Sequence, residues 1–152
     1  MLEKSLFPGP HFSRHNGGLH LGGLALSDLA KKFGTPLYVY DFDRIRSKAK
    51  ELTLELAHVN KTSKAYFAVK ALSNLSVLRL LHSEGLGMDV VSGGEIERCL
   101  AAGIPPENIV FSGVAKSRNE ISLGVTAGIG CFNIESPHEV DLLVSLLTNS
   151  SK

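Results

Sequence analysis

The chain has 152 residues, 43% of them hydrophobic, with 16 Lys and Arg against 15 Asp and Glu. That length suits one domain of ordinary size, and charge this balanced and scattered excludes the basic stripe of a nucleic-acid binder or a membrane-surface protein. No apolar run approaches the ~18 residues of a membrane-spanning helix, and the opening MLEKSLFPGPHFSRHNGG lacks the apolar centre of a signal peptide, so a cytoplasmic protein is expected.

In chain order, LHLGGLALSDLAKKFG predicts a hairpin and a short helix capped by Ser27 and closed by Gly34, and TPLYVYD then reads as a strand. His11, His15 and His20 stand in a glycine-rich stretch with no metal-ligand spacing and read as loop and hairpin residues; no metal site is expected. From Asp43 to Val59, residues Ile45, Ala49, Leu52, Leu56 and Val59 fall on one helical face. The sequence therefore divides into an amino-terminal segment of hairpin, helix and strand (1–42) and a second part (43–152).

The second part repeats one pattern. AYFAVKA followed by SNLSVLRLLHSEG gives a strand and a helix, with Ser73 or Asn74 as cap and Gly85 as stop. Three further strands lead into Ser-x-x-Glu: Ser92 with Glu95, Ser117 with Glu120, and Ser136 with Glu139, the last with Pro137 at the first helical position. In such a box the serine and glutamate satisfy free amides of the first helical turn. Gly103 and Gly128 follow where helices should end. Four strand-helix units in a row imply a parallel sheet or barrel. Only the tail TNSSK reads as disordered.

Lys70 ends an apolar run that reads as a buried strand. One reading is a strand exit, with the stem along apolar neighbours and the ammonium in water. The other is a functional amine in a dry pocket, its pKa depressed so that it attacks a carbonyl. In a parallel barrel the carboxyl ends of the strands carry the chemistry, and Lys70 stands there. Alternation places Lys70, Ala68 and Tyr66 on the barrel interior, with Phe67 and Val69 beneath the helices. Asp89 enters the next apolar run as Lys70 does, so two adjacent strands each direct one charge inward, the pattern of a site. Cys99 and Cys131 form neither a CxxC pair nor a disulfide framework and read as core or near-surface thiols.

The stretches YVYDFDRIR, YFAVKALSNLSVLRLLHSEGLGMDVVSGGEIERCLAAGI, IVFSGVAKSRNEI and CFNIES together resemble the amino-terminal half of the diaminopimelate decarboxylase family, enzymes of fold-type III that use pyridoxal 5'-phosphate (PLP). The resemblance runs from about Leu24 to Leu147. It implies an α/β fold, a partial (β/α)8 TIM-type barrel of about four βα units. It also implies that Lys70 is the catalytic lysine carrying PLP, with Asp89, Glu95 and the small Ala68 around the cofactor. Glu95 then has two compatible readings, helix cap and pocket residue. The reaction implied is decarboxylation of meso-diaminopimelate to L-lysine, with a small amino acid as substrate and a homodimer as the full-length form. Ornithine- and arginine-type decarboxylases share the fold and are the near alternative.

Two departures from the family pattern stand out. Leu72 occupies the position after KA where asparagine is usual, and the sequence stops after the fourth βα unit, whereas a full barrel takes eight over ~250 residues. A truncated or split product is therefore expected, inactive without a partner or the remaining half. A reading from another class is a non-catalytic half-barrel that assembles with a partner or with its own copy, because an open sheet leaves edges and an apolar face uncovered.

Overall fold

Gly22 and Gly23, both at positive φ (57° and 79°), form the two-residue turn that antiparallel strands favour. In the computed structural model, which describes residues 12–15 and 17–149, this turn joins β2 (Gly18–Leu21) to β3 (Leu24–Ala25), while β1 (Phe12–His15) pairs with the other edge of β2. His11 and the last three residues of the TNSSK tail lie outside the described residues. The chain divides into two compact units, and the boundary between Lys48 and Ala49 falls inside helix α2 (Phe42–Val59).

In the first unit the expected hairpin gains a third strand, and helix α1 (Leu26–Phe33) starts directly from it. Ser27 does not cap this helix. The pairing of His20 with Ala25 holds the chain as strand up to Ala25, which becomes the N-cap without a side-chain bond and leaves Ser27 in the first helical turn. The TPLYVYD stretch (35–41) likewise forms no strand. Among the described residues no ladder takes up its backbone, and Tyr38 is 86% exposed. Asp41 Oδ1 at its end accepts the amides of Asp43 (2.9 Å) and Arg44 (3.1 Å), which starts α2. The buried stripe of α2 also differs from expectation. Along it Ile45, Ala49, Thr53 and Leu56 are shielded from solvent, of which Ala49 alone is buried and the others half-buried, whereas Leu52 and Val59, expected on the same face, are 47% and 85% exposed.

The second unit holds four parallel strands in the order β4 (Tyr66–Ala68), β5 (Gly87–Val90), β6 (Ile109–Phe111), β7 (Cys131–Phe132). Each is followed by a helix: α3 (Leu75–Ser83), α4 (Gly93–Ala101), α5 (Arg118–Ala127) and α6 (Pro137–Asn149). The parallel α/β arrangement matches the sequence pattern. Register aligns Phe67, Met88 and Ile109, and one step on Val90, Phe111 and Phe132, as the rows of one face. Met88, Val90, Ile109 and Phe111 on that face are 0% exposed, and burying each contributes about 1.5 to 3 kcal/mol. The other face carries Ala68, Asp89, Val110 and Cys131 in register and is more open. Helix α6 continues through Thr148 and Asn149, so the expected disorder does not begin at Thr148, whose hydroxyl donates to the Val144 carbonyl (3.0 Å).

In the second unit the helix N-caps are the expected ones with one variation. Asn74 accepts the amides of Ser76 and Val77, and Ser117 with Glu120 forms a complete capping box. At α4 and α6 the serines accept the amides of Glu95 and Glu139, but each glutamate reaches one residue further back, to the amides of Val91 (2.8 Å) and Glu135 (3.1 Å). Glu120 also spans two helices, since its Oε1 accepts the Gly93 amide at the start of α4 (3.0 Å). That bond, then those from the amide and hydroxyl of Ser117, hold its carboxyl below the usual glutamate range. A carboxyl whose folded pKa is depressed contributes stability above its unfolded pKa and loses it as pH falls through the folded value. Glu120→Gln is therefore expected to be less stable than the parent at neutral pH, with the gap closing below the ordinary glutamate range. Urea melts across that range check this; a gap independent of pH would remove Glu120 from the account.

Candidate active site

The carboxyl ends of the four parallel strands lie along one rim, and of the candidates from the sequence Ala68 and Asp89 stand on its first two strands, with Lys70 in the turn just after the first. Strand β4 stops at Ala68, and a tight 3-10 turn, Val69–Ala71, follows. Val69 is fully buried and Lys70 exposed. The turn takes Lys70 out of the two-residue alternation, so Tyr66 and Ala68 share the open face as expected while Lys70 stands free at the rim. These residues do not enclose it in a dry pocket.

Ala68 pairs in register with Asp89 on β5. Asp89 Oδ1 is buried and accepts no hydrogen bond among the described residues. A carboxylate oxygen held from water without a donor is costly, so this atom has acceptor capacity that its surroundings leave unused. Glu95 is committed differently. Its Oε2 holds the Val91 amide, two residues past Asp89, which makes it the clamp of the turn that follows the site strand. Leu72 is half-buried just after the 3-10 turn and gives its amide to the Val69 carbonyl (3.1 Å), so its side chain brings no polar group to the rim.

The exit of β6 packs directly on the exit of β5. Ser112 donates its amide to the Val90 carbonyl (2.9 Å), and a Cβ at Gly113 would stand 2.5 Å from the Val91 carbonyl oxygen, so no side chain fits there. Beyond it lies a feature that sequence reasoning did not single out. Lys116 and Glu139, 6% and 4% exposed, form a 2.9 Å ion pair. Lys116 Nζ also donates to the Asn133 carbonyl (2.7 Å) and lies 5.5 Å from the centre of the Phe111 ring. Burial pushes the Glu139 carboxyl up, but the bond from Lys116, the Glu135 amide and the lysine charge outweigh it and hold the group below the usual range. The signal was present in FSGVAKS: a lysine just past a buried strand, the position that drew attention to Lys70.

The two thiols sit in different settings. Burial first, then the charge of Glu95, pushes the Cys99 thiol up to about 12, which suppresses its thiolate. Cys131 is exposed on β7. His15 and His20 meet edge to face, ring centres 5.4 Å apart, and among the described residues no three His, Cys, Asp or Glu side chains gather as metal ligands. No described helix is long and apolar enough to cross a membrane.

Residues 42–151 match the family described as pyridoxal-dependent decarboxylase, pyridoxal binding domain. The chain is similar to a diaminopimelate decarboxylase of Zymomonas mobilis, 44% identical over 142 residues that cover 93% of this chain and 34% of the relative. Its fold is similar to that of a diaminopimelate decarboxylase from M. jannaschii solved with L-lysine, with TM-score 0.82 and 32% identity over 94% of this chain and 34% of the other. An ornithine decarboxylase from Entamoeba histolytica matches less well, at TM-score 0.67 and 26% identity over 80% of this chain and 38% of the other. The chain thus spans about a third of the length of the relatives it matches.

Proposed function

The chain belongs to the pyridoxal-dependent decarboxylases, since its match to their pyridoxal-binding domain takes in residues 42–151, and from this premise we propose that it supplies the lysine-bearing part of an enzyme that decarboxylates meso-diaminopimelate to L-lysine. The observation that carries the reading is the pairing at the rim: an exposed primary amine just past the end of β4, and beside that strand a buried carboxyl oxygen that has no donor among the described residues. These residues fit the cofactor. Lys70 would hold it through Nζ, Ala68 would leave room beside that attachment, and Asp89 Oδ1 would be available to accept a hydrogen bond from the cofactor or the substrate. Glu95 keeps the turn after Asp89 in place through the Val91 amide. When bound, PLP would supply an electron sink for the pair that departing carbon dioxide leaves. The full-length enzyme is read as a cytoplasmic homodimer acting on a small amino acid.

The diaminopimelate reading stands above the ornithine reading because relatives of the first name match at higher identity. Two fusions test the choice: one joins these residues to the part of the Zymomonas mobilis enzyme that they do not match, the other to the corresponding part of the ornithine-type enzyme. Only the first is expected to retain PLP and to release carbon dioxide from meso-diaminopimelate. An active second fusion, or a preference for ornithine, would favour the alternative. Failure of both, with the chain eluting as a defined oligomer, would favour a non-catalytic half-barrel.

A further inference from the structure

Ala115 is the one non-glycine at positive φ (53°) among the described residues, and it lies next to the buried Lys116. A left-handed alanine persists only where its surroundings over-determine it. Here they do: Gly113 is wedged against the Val91 carbonyl on one side, and Lys116 is tied to Glu139 and to the Asn133 carbonyl on the other. The same cluster includes Asn133, whose Nδ2 donates to Ser112 Oγ (2.9 Å) and whose amide donates to the Phe111 carbonyl (2.9 Å). The loop from Ser112 to Ser117 is therefore held at both ends, and its first residue is bonded to Val90, immediately after Asp89. We propose that Lys116 and Glu139 are a positioning pair for the active site: they lock the β6 exit loop and, through Ser112 and Gly113, fix the end of β5 and hence Asp89.

The pair is not explained by stability. Two charges taken from water gain little over a well-packed apolar pair, while removing one of them alone strands the other. A pair kept for stability is thus replaceable by apolar residues, and a pair kept for position is not. This inference rests on the site reading above, so its test has one arm that does not need the cofactor. In the 152-residue chain, Lys116→Met with Glu139→Leu strands no charge and takes a partner only from the Glu135 amide and the Asn133 carbonyl, so it is expected to lower the melting temperature less than Lys116→Met alone does, while amide exchange at Ser112 and Asn133 accelerates about tenfold or more. Unchanged protection at both amides would overturn the proposal. In the diaminopimelate-type fusion the same double variant is expected to lose kcat about tenfold or more with KM little changed, since a small misplacement of a reacting group costs rate. Full kcat together with faster exchange would show a loop that moves without bearing on Asp89, and would overturn it too. Loss of PLP binding by the parent fusion would instead count against the function reading, and the exchange arm would still decide the loop. Lys116→Met alone guards against misreading: it strands the Glu139 carboxylate and is expected to lower the melting temperature more than the double variant does.

Discussion

Lys70→Ala in the PLP-loaded fusion is expected to leave no covalently held cofactor: borohydride reduction and peptide mass spectrometry find the pyridoxyl group on Lys70 in the parent and on no peptide in the variant. The other lysines near the sheet are poor substitutes for physical reasons. Lys116 is buried, with its ammonium bonded to Glu139 and Asn133. Lys64 precedes the opposite end of β4, where it bonds Asn108 and lies over the Tyr66 ring. Among the described residues Lys70 alone combines an accessible amine with a place at the carboxyl ends of the strands. Its loss removes both the attachment and a group able to carry a proton. Positioned proton transfer alone contributes a factor on the order of 10² to 10⁴, so carbon dioxide release should fall at least that far. Pyridoxyl recovered on Lys116 or Lys64 in the parent would sink the assignment.

Much of this was legible in the sequence because its signals are local. Ser117 and Glu120 define their helix start by spacing alone, and the β-branched runs ahead of the three serine caps became parallel strands in chain order. What failed depended on partners. Ser27 has the chemistry of a cap, but the pairing of Ala25 with His20 moved the helix start past it. TPLYVYD has strand composition but no ladder to join among the described residues. Lys70 was placed by strand alternation, which ends one turn too early because the chain tightens at Val69. Asp89 needed only its apolar context, yet its unused Oδ1 shows only in three dimensions. Lys116 and Glu139 lie 23 positions apart, and no local rule pairs them.

The 152 residues by themselves are expected to bind PLP no better than pyridoxal and to release no measurable carbon dioxide from meso-diaminopimelate. The reason lies in the helix starts at the rim. A phosphate dianion is held chiefly by backbone amides and dipoles gathered at a helix N-terminus or loop. Here each of the four helix starts already has a side-chain oxygen on its nearby amides: Asn74 at α3, Ser92 and Glu120 at α4, Ser117 and Glu120 at α5, Ser136 and Glu139 at α6. At three of them a carboxylate is among the acceptors, so a phosphate arriving there meets like charge and occupied donors. On the proposed reading these strands would attach the aldehyde through Lys70 without gripping the phosphate, and the grip would come from the part of the relatives that this chain does not match. Joining the unmatched part of the Zymomonas mobilis relative should restore it. Preference for PLP over pyridoxal then appears, and turnover rises from undetectable to the ordinary enzyme range, on the order of 1 to 10³ per second. Equilibrium dialysis with the two vitamers and a carbon dioxide assay measure both. A clear preference of the 152 residues alone for the phosphorylated form would mean that one of these capped helix starts opens to take it, and Glu120→Gln, which removes the charge shared by two of them, would then be the variant to compare.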